Sequence, residues 1–102
     1  ASYSLPTGLS PSNIIGLSIN SGGNAYTWYN NGTYSIGTPS ALGSISSSNS
    51  FSLPPGRTVA DIVAMAIDRN DSNKVYTWYI NDTVSIGTPS DLDFYASPVY
   101  FD

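Results

Sequence analysis

Short apolar stretches recur along the chain, each closed by turn-forming residues. IIGLSI (14–19) and IVAMAI (62–67) are β-branched, AYTWYN (25–30) and VYTWYI (75–80) are aromatic, TYSIG and TVSIG are shorter, and NSFSL (49–53) and PVYFD (98–102) end the two series. Such short, β-branched and aromatic segments predict strands. The separators carry turn chemistry: Asn31-Gly32 predicts a type I′ hairpin, as does its counterpart Asn81-Asp82. Gly37-Thr38-Pro39 and Gly87-Thr88-Pro89 break the third strand of each series in the same way.

The two series are copies of one another. YTWYNNGTYSIGTPS (26–40) returns as YTWYINDTVSIGTPS (76–90), with 12 of 15 positions identical; the differences are Asn30/Ile80, Gly32/Asp82 and Tyr34/Val84. YSLPTGLSPSNIIGLSIN (3–20) matches FSLPPGRTVADIVAMAID (51–68) at a shift of 48, which becomes 50 where SGGN (21–24) is replaced by RNDSNK (69–74), read as a longer polar loop. Repeat 1 covers about residues 3–50 and repeat 2 about 51–102 of one unit. Four antiparallel strands in each repeat of roughly fifty residues predict an all-β chain made of two β-propeller blades.

Face alternation favours blades over a sandwich. Tyr26 and Trp28 point one way and Thr27 and Tyr29 the other, so both faces carry large rings, where a sandwich sheet would keep one face wet. In IVAMAI, Val63, Met65 and Ile67 are expected on one face and Ala64 and Ala66 with Ile62 on the other, the small residues letting neighbouring sheets approach. Two blades cannot close a ring and would leave apolar faces in water. The chain is therefore expected to assemble head to tail into a closed homo-oligomer, a trimer of six blades or a tetramer of eight. The terminal VYFD (99–102) resembles the opening SYSL (2–5), which points to a seam between one chain's end and the next chain's start.

Composition narrows the partner class. Only 10% of residues are charged, with Arg57, Arg69 and Lys74 against seven Asp and no Glu, so neutralising phosphates is excluded and nucleic acid with it. No His and no Cys is present, which removes the usual general base, the commonest transition-metal ligand, the thiolate metal site and any disulfide. No apolar run approaches the roughly 18–20 residues of a membrane span. The reading is a soluble chain that does not insert into membranes, acts outside cells or at their surface, and has lost any leader if it is secreted. Glycosidic catalysis calls for two carboxylates across a cleft. The Asp residues fall in turns or in SDLD (90–93), whose counterpart SALG (40–43) has none, so no catalytic residues and no enzyme are expected.

ADIVAMAI (60–67), VYTWYINDTVSIGTPSDLD (75–93) and FSLPPG (51–56) together resemble the PLL-type β-propeller lectins, the family named for the Photorhabdus luminescens lectin. The resemblance spans almost the whole chain in order and spacing. Members of that family carry seven blades in one chain, a number that two blades per chain do not divide. The resemblance implies a multivalent lectin that holds fucose- or galactose-type glycans, O-methylated forms included, in shallow pockets between blades. A neutral sugar offers an apolar C–H face and several hydroxyls, which suit aromatic rings and uncharged or carboxylate hydrogen-bonding groups.

The candidate sugar-binding residues come from the repeated segments. Trp28 and Trp78 either stack on sugar or fill the gap between blades; of Tyr26, Tyr29, Tyr76 and Tyr79, only one per strand can share a face with its Trp. The unchanged SIGTPS is a rigid turn that can also carry Thr38, Ser40, Thr88 and Ser90 at a pocket rim. Asp91 and Asp93 in SDLD face Ala41 and Gly43 in SALG, so the two classes of site are expected to be unequal, with Asp91 orienting sugar in one of them. DRNDSN (68–73) has the alternating oxygens of a calcium loop but neither its central Gly nor its distal acid, and reads as a solvated turn; no metal or other cofactor is expected. The sequons at Asn31, Asn70 and Asn81 sit where turns favour Asn, and no modification is assigned to them.

Overall fold

The computed structural model describes residues 1–95, which form two antiparallel sheets. In the first, β1 (Ile14–Ile19), β2 (Ala25–Tyr29), β3 (Thr33–Thr38) and β4 (Ala41–Ser50) pair in chain order; in the second, β5 (Ile62–Asp68), β6 (Asp71–Tyr79) and β7 (Val84–Gly87) do the same. The chain is all-β and antiparallel as expected. The last strand expected of the second series, PVYFD, lies outside the described residues.

Four local expectations are corrected. The fourth strand of the first sheet is the Ser-rich Ala41–Ser50, which shares only Asn49-Ser50 with the expected NSFSL, leaves the Pro39-Ser40 turn at once and pairs from Thr38↔Ala41 to Thr33↔Ser50. Its run of serines hides it from a propensity reading; edge pairing to β3 supplies the strand. RNDSNK is not a longer loop: Arg69-Asn70 alone makes the turn, Asp68 pairs with Asp71, and the extra residues lengthen β6.

The hairpin after β2 is also not type I′, which needs positive φ at two residues. Only the last residue of the three-residue loop, Gly32 (φ 85) and its equivalent Asp82 (φ 68), is left-handed, closed by Gly32 N–H donating to Tyr29 O and Asp82 N–H to Tyr79 O, each at 3.2 Å. Asp is among the few non-glycine residues that tolerate that region.

The cross-strand registers of the two sheets agree. Trp28 lies between Gly16 and Tyr34, and Trp78 between Ala64 and Val84. A register shift occurs between Ile14 and Gly16 and again between Ile62 and Ala64. The second shift corrects the expected alternation: Ile62 packs against the core with Met65 and Ile67, and Val63 is exposed.

One face of the first sheet packs on the opposite face of the second. Trp28, Met65, Ile67, Val75 and Leu92 form the buried cluster, with Ile15, Tyr26, Tyr34, Phe51, Leu53 and Ile62 against it. The sheets approach closely at Gly16, where a Cβ would stand 2.5 Å from Met65 Sδ. Ser18 Oγ accepts the Ile67 amide at 3.0 Å across the same seam. The connection between the sheets is itself bonded to both. Phe51 N–H donates to Gly32 O, Ser52 N–H donates to Ser90 O and Leu92 N–H donates to Ser52 O, each at 3.0 Å. Ser4 makes the corresponding pair with Ser40 O and the Leu42 amide at 3.0 Å.

Candidate functional site

The seam between the sheets brings together two segments that the sequence singled out separately. Trp28 Nε1–H donates to Pro89 O at 3.0 Å, seating the aromatic strand of the first repeat on the GTPS turn of the second. Alternation in β2 and pairing to β3 place Tyr26, Trp28 and Tyr34 on one face. The Tyr26 and Tyr34 rings flank the indole at 6.3 and 6.2 Å, with interplanar angles of 25° and 28°. Trp28 has no exposed surface, so it is a packing residue here and not a stacking platform for a ligand. Tyr26 and Tyr34 are half-buried.

The equivalent face of the second sheet is open at Trp78 and Val84 and buried at Ile86. Trp78 is 42% exposed and stacks on the half-buried Tyr76 at 6.1 Å and 21°. Tyr76 Oη–H donates to Asp68 Oδ2 at 3.0 Å. Burial first, and this bond second, push the Tyr76 hydroxyl above its usual range. The Asn70 amide and then Tyr76 hold the Asp68 carboxyl below its own.

Tyr29 and Tyr79 leave the candidate site. They point to the other face, are buried, and hydrogen-bond through Oη to Ser35 Oγ and Ser85 Oγ, each at 2.7 Å. Ser35 Oγ–H in turn donates to Leu42 O at 3.0 Å, which ties the third strand of the first sheet to β4. Desolvation raises the Tyr79 hydroxyl. These enclosed hydroxyls have no open side for a ligand.

The turn residues divide in two. Thr38, Pro39 and Ser40 are exposed, whereas Pro89 is buried under Trp28, Thr88 is half-buried and Ser90 is exposed. Thr88 and Asp91 close their turn on each other: Thr88 N–H donates to Asp91 O at 2.7 Å and Asp91 N–H to Thr88 O at 3.1 Å. Asp91 Oδ1 accepts the Asp93 amide at 3.2 Å, which fixes one oxygen of a half-buried carboxylate.

Burial, and then the neighbouring Asp91 carboxylate, raise the Asp93 carboxyl above its ordinary value of 3.8. The folded value thus exceeds the unfolded one, so ionised Asp93 detracts from stability above the folded value, and the penalty fades as pH falls through it toward 3.8. Asp93→Asn is expected to raise the melting temperature at neutral pH and to lose that advantage at about pH 3. Thermal unfolding of both proteins at the two pH values checks this; an equal gain at both would rule out the charge as its cause.

DRNDSN binds itself. Asp68 Oδ1 accepts the Asn70 amide at 2.8 Å and Asp71 Oδ1 the Asn73 amide at 3.0 Å. Among the described residues no group of three metal-ligating side chains is present, and no helix is long and apolar enough to cross a membrane.

Tyr34, the Pro89 carbonyl and the Gly16–Met65 contact belong to the seam but were not among the sequence candidates. The hairpin register, which sets Tyr34 opposite Trp28, is the signal that could have found the first. Comparison of the chain with known protein families, curated proteins and solved structures gives no match.

Proposed function

We propose that the protein is a lectin of the PLL type and not an enzyme, each sheet being one propeller blade, with fucose or a related neutral monosaccharide held at the mouth of the seam between blades. The observation that carries this is the Trp28–Pro89 hydrogen bond. It joins the strand that bears Trp28, flanked by the half-buried Tyr26 and Tyr34, to the turn that bears the Thr88 and Ser90 hydroxyls and the Asp91 carboxylate. An apolar C–H face meets the rings and sugar hydroxyls meet the turn. The low charge of the chain suits a neutral ligand.

A closed ring of three or four chains repeats the site around one axis. Each monosaccharide contact is weak, and clustering raises the avidity for a glycan-covered surface by a factor of about 100 or more. Isothermal titration with L-fucose, D-galactose and their O-methyl derivatives tests the reading. At least one is expected to bind, and Asp91→Ala to weaken it by about tenfold or more through loss of a charged hydrogen bond. A folded protein that binds none of them is a structural or protein-binding ring and not this lectin.

A further inference from the structure

Most equivalent positions are buried alike in the two repeats, Thr27 with Thr77 and Tyr29 with Tyr79 among them, but a few are buried in one repeat and open in the other. Trp28 is closed to solvent and Trp78 is 42% exposed; Met65 and Ile67 are each 9% exposed, while their counterparts Leu17 and Ile19 are 43% and 51% exposed. Pro89 is buried and Pro39 exposed. The first sheet therefore has its Trp covered and the β1 edge of its opposite face open at Leu17 and Ile19, and the second sheet has Trp78 and Val84 open and the equivalent β5 positions Met65 and Ile67 covered. The two open surfaces occupy the same registers as the two surfaces already joined inside the chain, with Trp78, Tyr76 and Ile19 matching Trp28, Tyr26 and Ile67.

We infer that these two open faces bind each other between copies of the chain, head to tail, with Trp78 Nε1–H donating to Pro39 O of a second copy as Trp28 donates to Pro89 O within one. The occupant is argued from fit. Inside the chain the large Met65 sits on Gly16, where a Cβ would meet Met65 Sδ at 2.5 Å. On the open surfaces both members of that pair are changed together: Ala64 stands in the Gly16 position and Leu17 in the Met65 position. The added methyl of Ala64 is matched by a side chain one atom shorter in reach, so the exposed pair is sized for itself as the buried pair is. The same equivalence explains why SIGTPS is unchanged in both repeats. Each copy of the turn must offer its proline carbonyl to a Trp, one from its own chain and one from the next.

The contact between chains is the weaker of the two. Ser18 Oγ, which accepts the Ile67 amide at 3.0 Å inside the chain, is replaced by Ala66 at the open face. The two seams also differ at their mouths, because the turn that meets Trp78 is followed by Ala41 where the one that meets Trp28 is followed by Asp91.

A face-to-tail contact has two distinct halves, and this makes it separable by mutation. Leu17→Asp spoils one half and Trp78→Asp the other. Native mass spectrometry and sedimentation velocity at micromolar concentration are expected to give a closed trimer or tetramer for the unmodified chain and a single chain for each variant. An equimolar mixture of the two variants is expected to give a one-to-one dimer that grows no further, since each contributes the half the other lacks. Circular dichroism identifies folded variants; if Trp78→Asp does not fold, Val84→Asp on the same face takes its place. An unmodified chain that stays monomeric, a folded variant that still forms the ring, or a mixture with no dimer would each overturn the inference. The inference rests on the ring of the proposed function, but none of these measurements involves a sugar, so its failure is distinguishable from a failure of sugar binding.

Discussion

Trp28→Ala should lower the free energy of unfolding by about 3–5 kcal/mol, as removing a fully enclosed aromatic side chain does. The indole lies in the buried cluster that joins the two sheets, and its Nε1–H is bonded to Pro89 O at 3.0 Å. Truncation leaves a cavity flanked by Tyr26 and Tyr34 and an unpaired carbonyl. Trp78→Ala makes the identical chemical change at the equivalent position, yet in a single chain it should cost less than half as much, because 42% of that residue is already in water. Urea unfolding of both variants at high dilution, where chains are separate, measures the difference. Equal costs would mean that the sheets do not pack in solution as described.

The second large effect is expected at Gly87 and Gly37. Each is the residue at which the third strand passes beneath the returning chain: a Cβ at Gly87 would collide with the Asp91 and Leu92 carbonyls, and one at Gly37 with those of Ala41 and Leu42. The obstacle is backbone held in turn hydrogen bonds, so it cannot rotate aside as a side chain would. Gly87→Ala and Gly37→Ala should each destabilise by about 3 kcal/mol, the upper end of overpacking costs. Gly22→Ala is the control, since its nearest neighbour is Asn20 Oδ1 at 3.4 Å and the change should stay within about 0.5 kcal/mol. If all three melted alike, close approach would not be the reason these glycines are there.

Much of this arrangement can be read from the sequence, for identifiable reasons. IIGLSI, AYTWY and IVAMAI are bounded by turn residues and dense in β-branched and aromatic side chains, and they form β1, β2 and most of β5 at the expected places. β4 escapes such a reading because ALGSISSSNS has no apolar alternation; it is a strand through its pairing with β3, which no local pattern records. Alternation alone reverses Ile62 and Val63, because a single register shift inverts it and nothing in IVAMAI marks the shift.

The candidate site is half legible. Aromatic strand and GTPS turn both stand out, but that the turn of one repeat seats on the strand of the other is a contact across 61 residues. Period-two reasoning puts Tyr26 with Trp28 and Tyr29 opposite, which is where they lie; it cannot say that Tyr29 and Tyr79 are closed in by Ser35 and Ser85.

The bonded crossing from the first sheet to the second has a consequence for how the molecule comes apart. Phe51 is fastened to one sheet and Ser52 to the other, so neither sheet can fray away without releasing the hydrogen bonds that hold the next. A half-chain of roughly fifty residues buries too small a share of its surface to persist alone. The fold should therefore be lost in one cooperative event spanning both repeats, and the repeat in the sequence, though it doubles the motif, does not create two independent units of stability.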